Sequence, residues 1–234
     1  SNYRNSSYYN ITRELYYGKK SVNDVLNLLK EDLDWTKEEN GNYKYSYFKD
    51  YVYRKFKSGG SGFYGWNGLR YLLFEYEEEL MKQRNQPKIS WNYFIKSSKD
   101  KVSIEHIYPQ TATADCWEAM FVDVNQSMKK YYNGSLGNLL PLSSSINSSL
   151  QNDCFDDKKK TKKDQNGNVV RSGYANGSYS EQEVSFETNW GPNEIQERGL
   201  KLLSFMESRW KINLGNNDQK KDLLHLVEKD KILE

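Results

Sequence analysis

Two short apolar runs, set in a chain whose other apolar residues recur with helical spacing, limit what this sequence can fold into. The first, Lys101 to Ile104, delivers Glu105 and His106 side by side. Pro109 then stops the strand, because it has no N–H to give to a ladder. The second run is Leu136-Gly137-Asn138-Leu139-Leu140-Pro141-Leu142, and it carries one asparagine. Nine residues beyond Asn138 stands Asn147, just inside a predicted helix. A strand with Glu-His, a strand with Asn and a helix with Asn predict a small hairpin-plus-helix unit inside a mostly α-helical α+β domain.

The flanking sequence supplies the helices. Val22, Val25, Leu26, Leu29 and Leu33 share one face of a helix that starts near Ser21. Tyr43 to Lys57 is a basic, aromatic helix, closed by the Gly/Ser loop 58–62. Leu69, Leu72, Leu73, Tyr76 and Leu80 mark a third helix, with Glu75, Glu77, Glu78 and Glu79 read as its solvated face. Between the two strands an insertion holds a predicted helix from Asp115 to Tyr132. Ser180-x-x-Glu183 has capping-box spacing, and Trp190-Gly191-Pro192 opens the last long helix. Residues 1–20 show no clear period and read as a linker or docking segment. The resulting division is an N-terminal extension over 1–67, a central domain over 68–212 and a helical tail over 213–234.

Composition narrows the function. With 34 basic and 32 acidic residues the formal charge is only +2, so any nucleic-acid surface must be local. The local candidate is the run Lys158, Lys159, Lys160, Lys162 and Lys163, by default a solvated charge block and otherwise a set of phosphate contacts. Two cysteines, Cys116 and Cys154, with no C-x-x-C, speak against zinc and a disulfide framework and for a reducing cytoplasm. No run is long and apolar enough to span a membrane. The chain begins Ser1-Asn2, so it reads as a fragment of a longer polypeptide or as carrying a tag remnant.

The clustered residues suit phosphodiester hydrolysis, which needs a base for the attacking water and a cation for the developing charge. His106 has the natural pKa for the base. Glu105 and the Asn147 amide are hard oxygen ligands for one Mg²⁺ or Mn²⁺ ion. They reach the histidine only if a bend near Pro109 turns Glu105 into the same cleft. Asn138 is placed to hold the imidazole or to touch the phosphate. Each residue alone has a plainer reading, since strand-end histidines are mostly structural and lone asparagines cap turns and helices.

Together, Glu105-His106-Ile107-x-Pro109-Gln110, Leu136-Gly137-Asn138-Leu139 and Asn147 resemble the HNH nucleases of the ββα-metal class. The closer similarity is to the C-terminal domain of GmrSD-type modification-dependent restriction proteins, with Phe155-x-x-Lys158, Trp190, Ile195, Arg198 and Trp210 continuing the pattern. The resemblance implies an HNH core embedded in a helical domain that cuts or nicks DNA in phage restriction. It implies His106 as general base, Glu105 and Asn147 as metal ligands, Asn138 as orienting residue and Lys158 on DNA. It also implies a ParB-like nucleotide-hydrolysing domain as N-terminal partner. A catalytically silent DNA-binding module and an RNase of the same fold are the alternatives.

Overall fold

A computed structural model describes residues 2–34, 45–58, 60–88, 90–94, 102–143, 150 and 152–226. The chain divides into two compact units, Ser1–Tyr47 and Phe48–Glu234. The first holds two helices, α1 (Asn2–Tyr16) and α2 (Val22–Asp34), packed on one another. Segment 1–20, read as a linker, is thus largely helical. Its tyrosines Tyr9, Tyr16 and Tyr17 are exposed, so no apolar stripe announces the helix. Ser21 starts α2 through a reciprocal exchange with Asp24, whose carboxylate accepts from the Ser21 amide at 2.7 Å.

Helix α3 (Tyr45–Lys57) lies mostly in the second unit, where Val52 and Phe56 are buried in the core cluster that also holds Phe63. Helix α4 (Leu69–Gln83) buries the five apolar residues that its spacing predicts. Its acidic face is not uniformly solvated. Glu77, 4% exposed, accepts from the amides of Tyr179 and Ser180 at 2.8 and 2.9 Å, and Glu75 pairs with Arg209.

Two strands, β1 (Val102–His106) and β2 (Leu139–Ser143), pair antiparallel, His106 opposite Leu139 and Glu105 opposite Leu140. The insertion between them forms two helices, α5 (Asp115–Met120) and α6 (Gln126–Gly134). The single helix read over Asp115 to Tyr132 is interrupted where Asn125 accepts from Ser127 N at 3.1 Å and caps α6. Cys116 and Cys154 are joined in a disulfide, against the expectation of free thiols.

After β2 come α7 (Phe155–Lys159), a two-stranded ribbon of β3 (Lys162–Lys163) and β4 (Val169–Arg171), and α8 (Tyr179–Ser185). Helix α9 (Pro192–Trp210) is the spine. Pro192 stands in its first turn, and Ile195, Leu202, Leu203 and Met206 are buried. Its buried Arg198 donates to the carbonyls of Gly137 and Leu139 at 2.7 and 2.9 Å, fixing the spine to the start of β2. The short α10 (Asn217–Leu223) packs on α9. The fold is mostly helical α+β, as the sequence predicts.

Candidate active site

Strand alternation sends neighbouring side chains to opposite faces. The register runs unbroken from Val102 to His106, so Glu105 and His106 point to opposite faces of the strand. Glu105 turns toward α7. Its Oε1 lies 2.6 Å from Lys158 Nζ and accepts from the Tyr174 hydroxyl at 3.3 Å. Burial pushes the Glu105 carboxyl up and the Lys158 ammonium down, and each one's charge opposes that shift in the other. Lys158 also donates to the carbonyls of Ile107 at 3.0 Å and His106 at 3.3 Å, and its Nζ lies 5.8 Å from the Trp117 ring centroid.

Lys158, read from the sequence as a DNA contact, is buried in this fold: its side chain is 0% exposed. It is an internal brace on the strand end that carries His106. Of the other lysines in the run, Lys159 donates to the Glu187 carbonyl and pairs with Asp156, while Lys160, Lys162 and Lys163 are exposed.

His106 turns the other way. Its imidazole packs on Tyr64, with ring centroids 4.7 Å apart, and is largely buried. Burial first, and the Lys158 charge second, lower its pKa to about 4, so the ring is neutral at pH 7.

Asn138 is fully buried and faces neither the imidazole nor solvent. Its Oδ1 accepts from Tyr108 N at 2.7 Å and Trp190 Nε1 at 3.1 Å. Its Nδ2 donates to the carbonyls of Tyr108 and Asn133 at 2.9 and 3.0 Å. With both lone pairs and both N–H groups engaged, the amide has no capacity left for a phosphate. Its work is to hold the turn that follows His106, where Ile107 N also donates to the Asn138 carbonyl at 3.0 Å. Asn147 lies outside the described residues.

Of the two residues read as metal ligands, Glu105 and Asn147, only Glu105 is among the described residues. The charge of Glu105 is already met by an ammonium at 2.6 Å, and the amide of Asn138 is saturated. Among the described residues no group of three or more His, Cys, Asp or Glu is arranged to hold a metal.

Sequence reasoning passed over Tyr64 and Tyr174, and gave Trp190 no part in holding Asn138. Tyr64 follows a glycine-rich loop with no periodic signal, and only folding brings it to His106. Trp190 marked a helix start, but nothing in its spacing points to Asn138.

An antiparallel strand pair, with one histidine at its end and an ion pair behind it, lies at the centre of a mostly helical α+β domain. Residues 47–205 match the C-terminal domain of the GmrSD restriction endonucleases, and the chain belongs to that family. Neither a curated protein nor a solved structure gives a match. The family is one of nuclease-type domains. Among the described residues no helix is long and apolar enough to cross a membrane.

Proposed function

We propose that this domain hydrolyses phosphodiester bonds in DNA, with His106 taking the proton from the attacking water. The observation that carries the reading is the place of His106, an imidazole against Tyr64 at a strand end whose backbone is clamped by Lys158 and Asn138. A neutral ring has a free lone pair for the proton, and a fixed strand end removes the freedom that would misplace it. The Tyr64 ring limits the directions from which water reaches the imidazole. The exposed Lys160, Lys162 and Lys163 supply phosphate contacts without reading bases.

One Mg²⁺ or Mn²⁺ ion belongs to this proposal through the family resemblance and Asn147, and no step is derived from it. The same reading covers phage restriction in the cytoplasm and a ParB-like nucleotide-hydrolysing partner domain that senses the DNA. A second reading, a silent DNA-binding module, is favoured by the Lys158 ammonium seated on Glu105.

Relaxation of supercoiled plasmid decides between them, run with Mg²⁺, Mn²⁺ or EDTA on wild type and His106→Ala. Nicking that needs the metal and vanishes in the variant is the expected result. DNA binding without nicking in any metal would give the silent module its case, and RNA cleaved in place of DNA would make the domain an RNase.

A further inference from the structure

A half-open cavity of about 540 Å³ lies beside the turn that follows β1, and residues 108–113 of that turn run along its lining. Lys129 and Lys130 of α6 join the lining, and among the described residues no carboxylate forms an ion pair with either. The Lys130 ammonium lies 5.1 Å from the Tyr131 ring centroid. Gln110, Thr111 and Gln126, all exposed, add uncharged donors, and exposed Glu118 adds the one carboxylate of the lining. Two links tie this cavity to the candidate base. Gln110 follows His106 by four residues, at most about 14 Å of chain. Gly60 borders the cavity, and its loop continues into the turn Gly62–Gly65, which lays Tyr64 on His106. That turn rests on the end of α6, because a Cβ on Gly62 would meet the Gly134 carbonyl oxygen at 2.7 Å. The helix that carries both lysines therefore supports the loop that covers the imidazole.

We infer that this cavity holds a backbone phosphate of the DNA strand being cut, a few nucleotides along from the bond at His106, with Lys129 and Lys130 as its cationic contacts. The inference rests on the nuclease reading and names where the strand continues past the base. One strand of duplex DNA carries a charge about every 3.4 Å of helix axis. A backbone with one phosphate at His106 therefore has another within about 14 Å, the reach of the turn. Ammonium groups with no carboxylate partner exchange their counterions for phosphate, which releases those ions and favours binding. Amide and hydroxyl donors suit the phosphodiester oxygens, and such contacts fix the register of a strand without reading its bases. The half-open shape lets a continuous strand enter and leave. Glu118 opposes a phosphate in the cavity, and its removal is a test of its own.

The test is fluorescence anisotropy of a labelled DNA duplex in EDTA, so that binding is read apart from cleavage, at salt concentrations from about 50 to 200 mM. Each phosphate contact contributes about 0.9 to the slope of log affinity against log salt. Lys129→Gln/Lys130→Gln is therefore expected to make that slope shallower by about 1.8. Lys82→Gln/Lys88→Gln removes the same charge from the lining of a different cavity and is expected to leave the slope as it is in wild type. Glu118→Gln removes the like charge that a phosphate meets and is expected to tighten binding. It carries the test if the lysine variant does not fold. An unaltered slope in the Lys129/Lys130 variant, an equal change in the Lys82/Lys88 variant, or no tightening in Glu118→Gln overturns the inference. Any of these beside metal-dependent plasmid nicking by wild type would sink this inference alone. A wild type that neither nicks nor binds DNA would sink the nuclease reading with it.

Discussion

Lys158 is the residue whose role the fold changes most. In the sequence it opens a basic run, and a run of lysines reads as a solvated block. Helix α7 spans only Phe155–Lys159, too short for a period to reveal an inward face. The fold nevertheless places Phe155 and Lys158 inside, three apart and on one side of the helix. Replacing one member of a buried pair strands the other's charge, so Lys158→Met is expected to lower unfolding free energy by about 3–5 kcal/mol. Glu105→Gln/Lys158→Met removes both charges and is expected to recover most of that loss, with urea unfolding as the measurement. A single variant as stable as wild type would mean the pair is not ionised in the folded chain. Acid and histidine were legible at positions 105 and 106, but which of them meets Lys158 and which meets Tyr64 was not. The partner that captures Glu105 lies 53 residues away, a distance no local spacing reports.

Among the elements, the turn Leu136–Asn138 and the helix it touches show why Leu-Gly-Asn reads as it does. A Cβ on Gly137 would lie 1.8 Å from the Ile195 carbonyl and 2.7 Å from Gly199 N, both backbone atoms that cannot yield. A Cβ on Gly199 would meet Leu224 Cδ1 at 2.8 Å, the end of a side chain with rotamers to use. Gly137→Ala is therefore expected to destabilise by about 3 kcal/mol or more, and Gly199→Ala by distinctly less, in thermal melts. Equal losses would show that α9 gives way at Gly137. Where the sequence misled about an element, two local signals competed. Ser178 and Ser180 each have a glutamate three residues on, so both offer a capping box. Glu77 from α4 settles the choice by accepting the amides of Tyr179 and Ser180, which starts α8 at Ser178 with Glu181 as its box partner. Glu183 accepts from the Tyr76 hydroxyl and pairs with Lys201 instead. The strands and long helices were legible because their own residues carry the pattern. The split of the insertion and the start of α8 were not, because other elements decide them.

At the scale of the molecule, the Cys116–Cys154 bond ties α5, with its buried Trp117, to the residue before α7, with its brace Lys158. Two cysteines 38 positions apart with no motif between them say nothing about their distance in the fold, which is why the sequence reads them as free thiols. Closing a loop of that length restricts the unfolded chain and, by the chain-entropy relation, stabilises the folded one by about 4 kcal/mol. Cys116→Ser/Cys154→Ser is expected to lose about that much in urea unfolding, and wild type in a thiol reductant to match it. The variant should keep the plasmid nicking proposed for the domain at temperatures well below its melt. The hydrogen bonds that hold the turn after His106, from Asn138 and Lys158, do not pass through sulfur. Thiol titration of the unreduced protein after unfolding decides the pairing itself: two reactive thiols per chain would dissolve the bond. Equal urea midpoints with and without reductant would leave packing alone to hold the insertion on α7. Loss of nicking in a variant that is still folded would show instead that the bond, by fixing Trp117 over Lys158, sets the position of the strand end that presents the base.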